Sequence, residues 1–140
     1  MSRVDFYVLK AAGEASRWQF ACRLTEKAYK LANTVYILAP DPATAERLDE
    51  LLWTWHDGSF VPHEVGTGKS RAPVTLGSPD AKRPEKVDLL INLCDNIPEG
   101  VSAFPRVAEI VTSDDATRQA SRVRFASYRD QGHSLETHNL

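Results

Sequence analysis

The sequence predicts an α/β fold, a single three-layer domain with a mainly parallel sheet flanked by helices. Three observations carry that expectation. Val4 to Leu9, Val35 to Ala39, Val87 to Cys94 and Val107 to Thr112 are short apolar runs rich in β-branched or aromatic residues, as strands buried on both faces require. Between the first two, Trp18, Ala21, Cys22, Ala28, Tyr29 and Ala32 mark one helix face while Arg23, Glu26, Lys27 and Lys30 mark the other. After the second run Asp41 is placed to cap a helix that has Pro42 at its first position. Strand, helix, strand, helix is the order that right-handed crossovers turn into a parallel sheet.

Length and composition fit one unit. With 140 residues, 42% hydrophobic and 26% charged, the chain suits a single domain, 1–140, around one proper core. Residues 66–86 carry three glycines and three prolines and are expected to be a surface excursion. Met1 to Phe6 lacks the long apolar stretch of a signal peptide, and no run is long enough to span a bilayer, so a cytoplasmic protein with no membrane partner is expected. Cys22 and Cys94 have neither disulfide-framework nor zinc spacing and read as buried thiols; no metal site is expected.

Motifs for catalysis or cofactors fail on inspection. Gly66-Thr67-Gly68-Lys69-Ser70 looks like a phosphate loop, but His63 stands where the first glycine of that pattern belongs, and Arg71-Ala72-Pro73 follows in place of an apolar helix. Lys10-Ala11-Ala12-Gly13 after the first strand lacks the glycine pattern of a dinucleotide turn. No cofactor is expected. His56 and His63 flank a turn, His133 and His138 lie in a polar tail, and all four read as surface or turn residues. Asp95 follows a strand, where α/β enzymes often place a carboxylate, yet Asn96-Ile97-Pro98 makes an equally good turn there.

The strongest functional signal lies in the last helix. Arg118, Arg122, Phe125 and Arg129 recur at i, i+4, i+7 and i+11, within roughly 60° of one face. Residues 117–129 hold four arginines and no acid, leaving thirteen Lys and Arg against nineteen Asp and Glu elsewhere, a net of −6. Ala116, Ala120, Val123 and Ser127 repeat the spacing on the other side and are expected to pack inward. A guanidinium cluster with an aromatic at its centre suits an anionic ligand that also carries an apolar group.

A second signal lies in the helix after Asp41. Leu48, Leu51, Leu52 and Trp55 form its core stripe, whereas Trp53 projects beside Glu46 and Glu50. An indole on a polar face is the kind of residue that anchors interfaces, and Phe60 could extend the same patch. The alternative is that the ring folds back onto the domain.

These blocks support a resemblance. Val4-Asp5-Phe6-Tyr7-Val8-Leu9, Arg47-Leu48-Asp49-Glu50-Leu51-Leu52-Trp53 leading to Ser59-Phe60-Val61-Pro62-His63, Val87-Asp88-Leu89-Leu90-Ile91-Asn92-Leu93, and Ser121 to Arg129 followed by Gly132 together resemble, in order, the chi subunit family of bacterial DNA polymerase III. The resemblance implies a non-catalytic clamp-loader accessory protein with a nucleotide-binding-like fold that binds no nucleotide. It implies that Arg118, Arg122, Arg124, Phe125, Tyr128 and Arg129 hold the acidic carboxyl-terminal tail of single-stranded DNA-binding protein, which ends in a proline and a phenylalanine. It also implies that Trp53 and Phe60 bind the psi subunit or a repair helicase that competes for that surface. Ala126 stands where some relatives have lysine, Phe125 replaces a frequent tyrosine, and Trp55 adds a second indole near the psi patch.

Two other classes remain open from the residues. A small α/β hydrolase or phosphotransferase would use Asp95 and the 66–70 loop with the Arg cluster as clamp, and should show a deep pocket at the carboxyl ends of its strands. Direct DNA binding by the Arg stripe is disfavoured, because four arginines on an otherwise acidic body give little long-range attraction to phosphate.

Overall fold

The computed structural model describes residues 2–55, 58, 61–66, 72–84 and 86–140. Seven strands and three helices follow one another as β1 (Arg3–Val8), α1 (Glu14–Lys30), β2 (Val35–Leu38), α2 (Pro42–Thr54), β3 (His63–Val65), β4 (Val74–Gly77), β5 (Leu89–Asn92), β6 (Arg106–Val111), α3 (Asp115–Asp130) and β7 (Ser134–Asn139). All seven strands are parallel in one sheet of order β3-β4-β2-β5-β6-β1-β7. The β1-to-β2 and β2-to-β3 crossovers travel one way along the sheet and β6-to-β7 the other. Right-handed crossovers must therefore put α1 and α2 on one face and α3 on the opposite face.

The core divides accordingly. Alternate residues of a strand point to opposite faces. Val35, Ile37, Leu89, Ile91, Ala108 and Ile110 meet Ala21, Cys22, Leu48 and Leu52 of α1 and α2. Tyr36, Leu38, Leu90, Val107 and Val111 meet Tyr128 and Phe125 of α3, with Val101 and Phe104 from the segment before β6 completing that layer. Both thiols are buried and free, and burial pushes Cys22 up to about 12.

Local chemistry explains the helix ends. The Asp41 carboxylate accepts from the Thr44 amide at 2.7 Å, and Pro42 occupies the first turn, as expected. Helix α1 stops because Ala32 turns left-handed, at φ 63°. The Ala32 amide then donates to the Tyr29 carbonyl at 2.9 Å and the Asn33 amide to Ala28 at 3.0 Å, closing the last turn in a Schellman arrangement that usually has glycine at this position. Ala32 is thus exposed beyond the helix, not on its packed face.

Two polar stretches prove to be strands. The 66–86 excursion contains β4, buried throughout and inserted between β3 and β2. Its glycine is required by packing: a Cβ on Gly77 would overlap the Tyr36 hydroxyl and lie 3.0 Å from its Cζ. The polar tail forms β7, an edge strand paired to β1 from Arg3↔Ser134 to Val8↔Asn139. Its histidines are engaged: His133 is buried and accepts from the Ser2 amide at 3.0 Å, and a ring nitrogen of His138 lies 2.9 Å from Asp5 Oδ1. His63 is also buried, whereas His56 lies outside the described residues.

Gly77→Ala should destabilise the domain by about 1–3 kcal/mol, the usual cost of overpacking. Tyr36→Phe removes a buried hydroxyl that makes no hydrogen bond among the described residues and should change stability little by itself. In urea denaturation the double variant should be less destabilised than the sum of the two. Strict additivity would show that the ring and the glycine do not meet.

Candidate functional site

Helix α3 carries the Arg cluster, and its rotation is set from inside the protein. Its buried residues are Ser121, Arg124 and Tyr128, while Val123 is 72% exposed. The expected inward face of Ala116, Ala120, Val123 and Ser127 is therefore wrong. The cause is Glu109 on β6, fully buried on the α3 side of the sheet. Arg124 Nε donates to its Oε1 at 3.2 Å, and Tyr128 Oη and Asn92 Nδ2 donate to Oε2 at 2.7 and 2.8 Å. Burial pushes the Glu109 carboxyl up, against the pull of the Arg124 guanidinium and of those hydrogen bonds. Arg124 Nη1 also donates to the Asp95 carbonyl at 2.9 Å. Two of the six residues assigned to the tail site, Arg124 and Tyr128, are thus withdrawn from the surface. A buried carboxylate needs charged and hydrogen-bonded partners, and these two supply them.

That rotation aims the others outward. Arg118 and Arg122 stand exposed at the rim of a shallow pocket of about 280 Å³, with Phe125 half-buried in its wall. Phe6, Val8 and Val111 supply its apolar lining, and Thr137 and Asn139 of β7 close one side. Phe6 and Phe125 pack with ring centroids 5.2 Å apart, which holds the Phe125 ring in the wall. Arg129 is exposed, 3.5 Å from Asp130, and does not line this pocket. Small-molecule sites generally occupy about 300–1,000 Å³, so this one is sized for a single side chain. The two exposed guanidinium forks beside it, which have no ion-pair partner among the described residues, can bind a carboxylate. The strand residues had no signal of their own in the sequence, because only the sheet order brings β1, β6 and β7 under α3.

The crevice that binds phosphates in many α/β folds is chemically different here. Between the carboxyl ends of β1 and β6, where α1 and α3 leave toward opposite faces, sits Asp114. Its carboxylate accepts from Thr112 Oγ1 at 2.6 Å, from Thr117 Oγ1, and from the Gly13 amide at 3.4 Å. The threonine hydrogen bonds hold it well below the ordinary carboxylate range. Asp115 and Glu14 add acid to the first turns of α3 and α1. Protein carboxylates thus take the place that a bound anion would favour at helix N-termini. Asp95 is exposed, and the described residues contain no cluster of His, Cys, Asp and Glu suited to a metal. Residues 67–70 of the phosphate-loop lookalike lie outside the described residues.

A second surface lies on the other face of the sheet. Leu48 and Leu52 of α2 are buried and Leu51 and Trp55 pack against the same core, while Trp53 is 52% exposed. One side of its indole rests on His63, ring centroids 4.3 Å apart. His63 is itself fixed, Nδ1 2.6 Å from the Val61 carbonyl and Nε2 2.8 Å from that of Asp49. Trp53 is therefore a positioned ring with half its surface in water. Phe60 lies outside the described residues.

This parallel α/β sheet has carboxylates at its phosphate crevice and carries two surface features, the Arg-rimmed pocket beneath α3 and the exposed Trp53 ring on the other face. Comparison with known proteins narrows the class. The family model of the DNA polymerase III chi subunit, HolC, matches residues 1–136, and the chain belongs to that family. It is 43% identical over 140 residues to a DNA polymerase III subunit chi of Pseudomonas aeruginosa, covering all of this chain and 98% of the relative. It is 32% identical to one of Escherichia coli over 143 residues, covering 98% and 97%. The chain is accordingly an accessory subunit in DNA replication, not a catalytic one. A solved structure of S. cerevisiae Dbp5 bound to RNA and ADP BeF3 shares the fold alone, with a TM-score of 0.61 at 13% identity over 100% of this chain and 41% of that one.

Glu109→Gln leaves Arg124 buried without its counter-charge and should cost about 3–5 kcal/mol in chemical denaturation. Replacing both partners, Glu109→Leu with Arg124→Leu, should cost less than Glu109→Gln alone. A neutral Glu109→Gln would mean that the pair does not hold α3.

Proposed function

We propose that the protein holds the acidic carboxyl-terminal tail of single-stranded DNA-binding protein in the pocket beneath α3, and binds a second replication or repair partner through Trp53. The observation that carries this reading is the pairing of an apolar pocket sized for one ring with two arginines at its rim that have no ion-pair partner among the described residues. A chain terminus that presents an aromatic ring beside a carboxylate matches it: the ring enters against Phe6 and Phe125, and the carboxylate lies between Arg118 and Arg122. Arg129 adds positive charge further along the helix, while Arg124 and Tyr128 support the site from below through Glu109.

The half-bare indole on the opposite face suits the psi subunit of the clamp loader or a helicase competing for the same ring, with Phe60 extending the patch. One chain would then engage both partners at once, linking the polymerase assembly to protein-coated single strands. This reading places the protein in the cytoplasm as one domain, 1–140. No helix among the described residues is long and apolar enough to cross a membrane. The enzyme reading is disfavoured by the carboxylates in the phosphate crevice. Direct DNA binding is disfavoured further, because of the four arginines of the helix one, Arg124, is consumed inside by Glu109.

Arg122→Ala should weaken an acidic tail peptide ending in phenylalanine by about 1–3 kcal/mol in fluorescence anisotropy, with added salt weakening the wild-type complex as well. Deleting the terminal phenylalanine should also lower affinity; unchanged binding after either change would sink the assignment.

Trp53→Ala should shift stability by less than about 0.5 kcal/mol, as exposed substitutions do, while abolishing capture of purified psi or helicase and sparing the peptide. Trp55→Ala should mainly destabilise. The reverse pattern in thermal melts would remove the case for the second patch.

A further inference from the structure

We infer that the groove beside the amino-terminal half of α1 receives the acidic residues lying upstream of the terminus held beneath α3, so that one ligand wraps the tips of β1 and β7. This inference rests on the reading of the α3 pocket as a peptide-terminus site. The groove has a volume of about 530 Å³ and is lined by Leu9, Lys10, Gln19, Phe20, Arg23 and Leu140 among others. Among the described residues, its lining includes no acidic side chain, histidine or cysteine. Lys10 and Arg23 are exposed, and neither has an ion-pair partner among the described residues.

Continuity joins the two concavities. Val8 and Asn139 line the pocket under α3, and the next residues along the chain, Leu9 and Leu140, line the groove. Successive strand residues face opposite ways, so the two sites open on opposite faces of the same strand ends. An extended chain advances about 3.3 Å per residue, so on the order of six residues crosses a sheet edge and its roughly 10 Å layers.

Electrostatics select this route. An acidic chain leaving the pocket over the carboxyl end of β6 would meet Asp114, Asp115 and Glu14. Over the tips of β1 and β7 it meets Lys10 and then Arg23, with Phe20 and Leu9 beneath for any apolar residue between the charges.

The test compares three synthetic peptides with the same proline-phenylalanine end and a free carboxylate: a tetrapeptide, a dodecapeptide with aspartates upstream, and its asparagine counterpart. At low salt the acidic dodecapeptide should bind the wild-type protein about three- to tenfold more tightly than the tetrapeptide, the sum expected of two exposed ion pairs. The asparagine peptide should show no such gain. In Lys10→Glu with Arg23→Glu the gain should vanish while the tetrapeptide affinity and the melting temperature stay unchanged. A gain that survives in that variant, or that the asparagine peptide also shows, overturns the inference while leaving the α3 pocket intact. A tetrapeptide that fails to bind the wild-type protein overturns the pocket reading and this inference with it.

Discussion

A single buried carboxylate organises the functional half of this protein. Glu109 sits in the sheet where an apolar residue would be expected, and its ionised form is tolerable only because Arg124, Tyr128 and Asn92 converge on it. Those contacts draw from three separate segments: α3, β5 and, through the Asp95 carbonyl, the turn after β5. Each is directional, unlike the hydrophobic contacts around Phe6 and Leu90. Direction is what a helix face needs, since an apolar stripe alone tolerates some rotation, whereas a guanidinium bonded to one carboxylate does not. The angle at which Arg118, Arg122 and Phe125 meet the pocket follows from that bond set.

The same network explains where sequence reading succeeded and where it failed. The central strands and α2 were legible because their apolar periodicity is uninterrupted and Asp41 with Pro42 announces the helix start. Trp53 was legible by its phase against Leu48 and Leu52. The phase of α3 was not, because an arginine and a tyrosine on the buried side read as solvent-facing, and their partner Glu109 is remote in sequence. Helix spacing could have found it only if Glu109, alone among Val107, Ala108, Ile110 and Val111, had been taken as a buried charge in need of a cation. Strand β4 escaped because Val74-Thr75-Leu76-Gly77 is short and framed by glycine and proline. Strand β7 escaped because an edge strand keeps polar residues on both sides, with Ser134, Glu136, Thr137 and Asn139 exposed.

Crossover handedness also separates the two surfaces. The helices α1 and α2 travel with the sheet in one direction and α3 in the other, so Trp53 and the Arg pocket are held on opposite faces by a rigid parallel sheet. The crevice that elsewhere holds a nucleotide between diverging crossovers is closed here by Asp114, whose carboxylate accepts from the Gly13 amide.

The place of β1 has a consequence for synthesis. The strand β1, synthesised before the other six of the sheet, lies between β6 and β7, registered along its whole length with Arg106 to Val111 on one side and Ser134 to Asn139 on the other. Both neighbours lie in the last quarter of the chain. An apolar strand that includes Val4, Phe6 and Val8 must therefore wait unpaired through most of translation, and pairings this distant in sequence form slowly. The domain closes from its far end, so the residues that build the Arg pocket are also the ones that complete the sheet. A nascent chain lacking them has neither the pocket beneath α3 nor partners for its first strand.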